Sequence, residues 1–383
     1  MRRRAFLYAP LIAAARGRPA AGSARVVIAG AGILGASIGY HLAKRGAQVT
    51  ILEKLRPAAG ATEKSFALLN ASFSKQPRSY YELNLLGIDG WRRLSLEFGG
   101  ELQVDWSGTV EWRVPGVEAE ELRHSVAKHQ EWGYSTRLIE EAGVRRMLPN
   151  VNPGVIGAAS FSDQEGAVDP VHAVKVLLKR AEQAGARVEF PCAVTGIRLD
   201  GGNRVKGVET TKGDLVADFL VAAAGVDTPR LCRMVDVDVP LKESPGVLAH
   251  TVPQPRLLDP VALGPRVTMK QKRDGRIVTG TDFGGTPSAN QNKAFGQELL
   301  RNAQKYVARL KTAELEKVTL GYRVMPTDEF PIVGFTERCP NLYVTAMHSG
   351  MTLSPLIGQL AATEILDGTR VGLLQPYRLS RFR

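Results

Sequence analysis

Val26-Val27-Ile28-Ala29-Gly30-Ala31-Gly32-Ile33-Leu34-Gly35 decides the fold. Its first four residues are apolar without a break, as a parallel strand buried on both faces requires, and a GxGxxG turn follows at once. A helix then reads from Leu34, Ile38 and Leu42 at four-residue spacing, and ends at Gly46. A second apolar strand, Val49 to Leu52, delivers Glu53. Each part suits a dinucleotide: Gly30 permits the tight turn, Gly32 lets the backbone reach a pyrophosphate, and Gly35 lets the helix sit close to the sheet. The helix start adds free N–H groups and partial positive charge. Glu53 lies about 20 residues on, where a carboxylate accepts ribose hydroxyls and repels a 2′-phosphate, so NADP is disfavoured. Without the upstream motif, Glu53 would read as an ordinary strand-end carboxylate.

The rest of the composition sets bounds. A chain of 383 residues suits about two domains at ~150 residues each. Apolar residues make up 44% and charged residues 23%, and no apolar run is long enough to span a bilayer, so a soluble protein without stable membrane insertion is expected. The net charge of +12 is spread along the chain, which favours anionic ligands over a dedicated nucleic-acid face. Cys192, Cys232 and Cys339 are odd in number and lack CxxC spacing, which argues against a zinc site or a disulfide framework. Arg2-Arg3-Arg4, the apolar stretch Ala5 to Ala15 and the small residues Ala20 to Ala24 have the plan of an export signal. Arg3-Arg4-Ala5-Phe6-Leu7 is similar to a twin-arginine signal, which implies a periplasmic enzyme; a disordered extension on a cytoplasmic one is the alternative. Residues 1–23 are set apart from the fold on either reading.

Four segments now carry a resemblance. The glycine motif, Ala61-Thr62-Glu63-Lys64-Ser65-Phe66-Ala67, Gly166-Ala167-Val168-Asp169-Pro170 and the stretch Gly321 to Pro355 together resemble the D-amino-acid oxidase superfamily, which includes glycine and sarcosine oxidases. The resemblance covers most of residues 25–370. It implies an α/β fold, with a Rossmann-like FAD-binding domain assembled from separated segments and an inserted α+β substrate domain. The cofactor-binding set it implies is Gly30, Gly32, Ile33, Leu34, Gly35, Glu53, Lys54, Thr62, Ser65, Val194, Ala224, Gly225, Gly350, Met351 and Thr352.

The local patterns fit that plan. After Asp169-Pro170 a helix reads from Val171 to Ala184, then strands at Arg187 to Phe190 and Ala193 to Ile197, and the apolar strand Asp218 to Gly225 ends in small residues that let backbone approach a ligand. Near the end, the strand Asn341 to Ala346 leads through Met347-His348-Ser349-Gly350 into an apolar helix with Pro355 near its first turn. That helix is apolar almost all round, so its amino terminus should face a group that uses the positive end of the dipole. Reduced flavin, an anion at N1, is such a group, whereas NAD needs none. Taken alone, His348-Ser349-Gly350 is equally a plain strand-to-helix turn.

The substrate side rests on Gly321-Tyr322-Arg323-Val324-Met325-Pro326, which places one arginine in an apparent apolar strand. A buried guanidinium needs an anion. In amino-acid oxidases of this superfamily a Gly-x-Arg-Pro segment grips the substrate carboxylate, and Arg323 matches that arginine although Val324 replaces the proline. Tyr322 is a second candidate for the same pocket. A salt bridge from Arg323 to Asp328 or Glu329, or plain solvent exposure, is the structural alternative. His348 invites a general-base reading, but amine oxidation by hydride transfer needs no enzyme base, so a cofactor-loop or structural role is preferred. Some sarcosine-oxidase-like members tether FAD through a cysteine in the stretch matching Tyr322 to Asp328; none stands there, so non-covalent FAD is expected.

The expected FAD domain is 24–100, 151–240 and 320–372, and the expected substrate domain 101–150 and 241–319. The expected reaction is oxidation of a C–N bond in a small amine or amino acid, with electrons passing to oxygen or another acceptor. A flavin hydroxy-acid dehydrogenase and a non-catalytic FAD-stabilised binding protein are the alternatives.

Overall fold

The computed structural model describes residues 23–73, 75–281 and 293–382. The expected signal segment therefore lies outside the described residues, apart from Ser23. Val26 to Ala29 fall in a strand, Arg25–Ala29, that sits inside a six-stranded sheet. Its neighbours are the parallel strands Gln48–Leu52 on one side and Phe219–Ala222 on the other. Arg187–Glu189 and Leu342–Ala346 extend the parallel array, and Ile332–Phe335 closes one edge antiparallel. All-apolar strands work here because helices cover the sheet. The first helix, Ile33–Lys44, packs beside the helix Pro170–Gln183 and the carboxy-terminal helix Gly350–Asp367. Asp169 caps the middle one, accepting from the N–H groups of Val171 and His172, with Pro170 in its first turn.

The carboxy-terminal helix is buried on nearly every side, leaving Gln359 and Asp367 exposed along Gly350–Asp367. Close approach makes this possible. A Cβ on Gly87, in the long helix Arg78–Glu97, would lie 2.5 Å from the Thr352 carbonyl oxygen, and one on Gly358 would lie 2.3 Å from Ser37 Oγ. Ser37 Oγ donates to the Ser354 carbonyl at 2.6 Å, which fastens the first helix to the last.

A second sheet has eight strands in the order 315–322, 245–251, 277–280, 267–271, 261–264, 109–113, 158–162 and 137–138. It is antiparallel except where Val261–Gly264 runs parallel to Thr109–Arg113. The helix Lys293–Tyr306 packs against this sheet. Two strands fall across the divisions expected at residues 151 and 320. Ala158–Ser162 pairs with Thr109–Arg113, and Leu315–Tyr322 pairs with Pro245–Thr251. Both are chosen by long-range pairing, which local pattern does not encode. Ala193 to Ile197 likewise leaves the parallel sheet, since Val194–Leu199 joins a separate three-stranded antiparallel sheet. Among the described residues, no helix is long and apolar enough to cross a membrane.

Candidate active site

Strand order reverses at Arg25–Ala29, with Gln48–Leu52 on one side and Phe219–Ala222 on the other, and at such a switch point the carboxyl ends of parallel strands open a crevice. Here that crevice is the mouth of a cavity of about 1240 Å³. Ala29, Leu52, Ala223 and Met347, at or just beyond the ends of four parallel strands, all line it, and Leu248, Thr268 and Gly280 of the second sheet form the facing wall.

At the glycine turn, Gly30 adopts φ +114°, and a Cβ there would lie 2.3 Å from the Ala223 carbonyl oxygen. Only glycine fits such a position. Gly32, Ile33 and Leu34 line the cavity beside it. Gly35 does not; it lies under the turn, where a Cβ would stand 1.9 Å from the Gly30 carbonyl oxygen. Its part is the close packing of helix on strand. The N-cap, Gly32, has no side chain to cap the helix start, and this positive end lies beside the cavity.

The other expected cofactor residues gather at the same opening. Glu53 accepts from the N–H groups of Ala31 (3.1 Å) and Leu55 (3.0 Å), which holds the carboxylate at the strand end. Thr62 Oγ1 accepts from the Ile33 N–H at 3.2 Å, and Ser65 Oγ from Ala67 at 2.9 Å. These two side chains therefore shape backbone as well as lining the cavity. Lys54 pairs with Asp227 across the opening. Val194, Ala224 and Gly225 line the wall between them, Gly225 at φ +62°.

Gly350, Met351 and Thr352, the first turn of the carboxy-terminal helix, line the cavity further in. Ser349 precedes them without capping the helix, because its hydroxyl bonds instead to Lys75 Nζ at 2.8 Å and Tyr80 Oη at 2.7 Å. A second helix start thus faces the cavity, with an ammonium beside it. His348 stands next to it. Burial, reinforced by the charges of Lys75 and Arg323, pushes its imidazole down to about 3, so it is neutral near pH 7.

Arg323 and Tyr322 line this inner end, but the expected strand stops short of the arginine. Pairing with Pro245–Thr251 ends at Tyr322, which is 42% exposed, and the Arg323 N–H turns to the Ser244 carbonyl at 2.9 Å. Arg323 is half-buried at the cavity wall instead of enclosed in a sheet. The carboxylates named as structural partners are engaged elsewhere: Asp328 takes a two-point contact from Arg381 (2.7 and 3.0 Å), and Glu329 pairs with Lys242 at 2.6 Å. Cys192, Cys232 and Cys339 are all buried in one core cluster, Cys192 at its edge beside the cavity and Glu53. Sequence reasoning missed Lys75, Tyr80 and the aromatic wall of Phe66, Phe73 and Phe330. Lys75 falls in a polar run, Ser74-Lys75-Gln76-Pro77-Arg78, with no apolar period to mark burial.

With this geometry the comparisons agree. The family model for FAD dependent oxidoreductases matches residues 25–364. The chain belongs to this D-amino-acid oxidase family of FAD-dependent oxidoreductases. Mouse mitochondrial dimethylglycine dehydrogenase (Mus musculus) is 26% identical over 379 residues, an overlap taking in 90% of this chain and 42% of that protein. The chain thus spans less than half the length of that relative. Glycine oxidase of Geobacillus kaustophilus is 26% identical over 366 residues, covering 93% of this chain and 96% of that one. The solved L-proline dehydrogenase from P. horikoshii has a TM-score of 0.85 at 23% identity, covering 94% of this chain and 99% of the other, a likeness of fold. The family is FAD-dependent, and the residues present suit that cofactor: a glycine cradle at the turn, a carboxylate at the next strand end, and two helix starts facing one cavity.

Proposed function

We propose that this enzyme oxidises the C–N bond of a small amine or amino acid, with FAD held non-covalently, and releases an imine that hydrolyses to a carbonyl compound and an amine. One observation carries the reading: a single cavity joins the glycine cradle to an inner end walled by Arg323, His348 and aromatic side chains. A substrate held there lies within the same space as the cofactor.

The residues divide the work. Gly30, Gly32 and the first helix start would hold the pyrophosphate, Glu53 the adenosine ribose, and Gly350 to Thr352 the flavin end. FAD held there would supply a hydride acceptor at N5, with oxygen or another acceptor as the destination of the electrons. Arg323 would grip the substrate carboxylate at two points and so set the α-carbon against the flavin. His348, with its imidazole pushed down to about 3, is a poor proton acceptor at neutral pH, so the amine reacts in its neutral form without a base from this loop. The dimethylglycine dehydrogenase and glycine oxidase similarities support an amine substrate over a hydroxy acid.

The test starts from the purified protein, which is expected to be yellow and to release intact FAD into the supernatant on acid precipitation; colour kept in the pellet would show a covalent tether. An anaerobic screen of amines, amino acids and hydroxy acids then reads bleaching of the flavin. Bleaching by amines supports the proposal. Bleaching by hydroxy acids alone, or by no compound, overturns it.

A further inference from the structure

The inner end of the cavity holds a cation that the reading above leaves without a task. Lys75 is 7% exposed and lines the cavity. Its Nζ donates to Ser349 Oγ at 2.8 Å and sits 5.2 Å from the centre of the Tyr80 ring. Among the described residues no carboxylate pairs with it. The acidic side chains lining the cavity are otherwise engaged: Glu53 by backbone N–H groups, Asp227 by Lys54, Asp328 by Arg381 and Glu329 by Lys242. Glu243, the remaining one, is exposed.

A hydroxyl and a ring face do not balance a desolvated ammonium. A cation over an aromatic face gains less than a buried charge without a counter-charge loses. The charge is therefore matched by something that enters the cavity. Arg323 lines the same cavity, and its charge and that of Lys75 both act on the His348 imidazole there. One carboxylate answers one of these cations. A ligand that answers both carries two.

We propose that Lys75 receives a second acidic group of the substrate, so that the preferred substrates are amines bearing two carboxylates. The proposal rests on the amine-oxidation reading and on Arg323 taking the first carboxylate. Lys75 is then a specificity-determining residue: its ammonium is a point charge on a flexible stem, able to meet a carboxylate on a side chain or on a substituent of the nitrogen.

The experiment compares matched pairs on the holoenzyme: N-carboxymethylglycine against N-methylglycine, and aspartate against asparagine, in wild type, Lys75→Gln and Lys75→Arg. The wild type is expected to prefer the dicarboxylate of at least one pair by roughly tenfold or more in kcat/KM. Lys75→Gln should abolish that preference mainly through KM, leave the monocarboxylate within about threefold, and keep flavin content and midpoint potential unchanged; Lys75→Arg should keep part of the preference. Succinate against propionate, followed by perturbation of the flavin spectrum, gives the same comparison without turnover. Lack of preference in the wild type, or equal losses on both members of a pair, overturns the proposal. So does a shifted midpoint potential with the preference intact, which would make Lys75 a cofactor contact. If no amine reduces the flavin, the amine reading itself fails; if monocarboxylates reduce it as well as dicarboxylates, only the role of Lys75 fails.

Discussion

Residue 323 is an arginine, and the fork of its guanidinium is what the proposed chemistry needs, because two parallel N–H donors fix the plane of a carboxylate where an ammonium fixes only its distance. Removing such a contact removes on the order of 2 to 5 kcal/mol of transition-state binding. Arg323→Ala is therefore expected to lose roughly 30-fold to several thousand-fold in kcat/KM on the best carboxylated substrate. Arg323→Lys should recover part of it, and amines lacking a carboxylate should react unchanged. Flavin content should stay normal in both variants. If Arg323→Ala oxidises carboxylated substrates as the wild type does, the anchor lies elsewhere. The arginine was legible in sequence because it stood alone in an apolar run and matched a family segment. Its setting was not legible: the chain leaves the sheet at Tyr322, and the Arg323 N–H turns to Ser244, a partner 79 residues away. Lys75 was illegible for the opposite reason, since its neighbours in sequence are polar and its burial comes from Tyr80 and Ser349, brought by other elements.

At the scale of elements, the glycine turn separates two demands that one motif usually merges. At Gly30 the demand is internal, because φ is +114° and an added Cβ would meet the Ala223 carbonyl at 2.3 Å. At Gly32 the demand is the ligand's, because the nearest protein atom to an added Cβ is Thr62 Oγ1 at 3.2 Å and the cavity lies on the open side. Gly30→Ala is thus expected to destabilise the fold by about 3 kcal/mol or more, combining strain and overlap with backbone. Gly32→Val should fold and purify colourless, since its side chain stands where a pyrophosphate must approach. Urea midpoints and flavin absorbance separate the two, and a folded Gly32→Val protein with normal flavin content would remove the cofactor from this turn. The strands and helices on either side of this turn were readable because burial on both faces leaves an unbroken apolar run. Ala158–Ser162 and Leu315–Tyr322 were not, because what places them is a partner strand far along the chain.

For the whole molecule, the cavity is bounded by both sheets and by residues of two short strand pairings, Leu68 in one and Lys242 and Met325 in the other. Leu68–Leu69 pairs with Gly166–Ala167, and Leu241–Lys242 with Met325–Pro326, two residues a side in each case. The division into two sheets was only partly visible in sequence, since each sheet is assembled from separated stretches. A cofactor lodged between the sheets would add contacts to both, so binding and stability must be linked. FAD at about 100 times its dissociation constant should add roughly 2.7 kcal/mol, and for a chain of this size raise Tm by about 3 °C. The gain should be local as well as global. Amide exchange in protein stripped of FAD is expected to quicken at the two short pairings, whose opening exposes the cavity walls, and to stay slow in Arg25–Ala29 and Val267–Gln271, which are paired on both sides within their own sheets. Restoring FAD should slow the short pairings again. Equal exchange at those pairings with and without saturating FAD, together with an unchanged Tm, would mean that the cavity between the sheets is not where the cofactor sits.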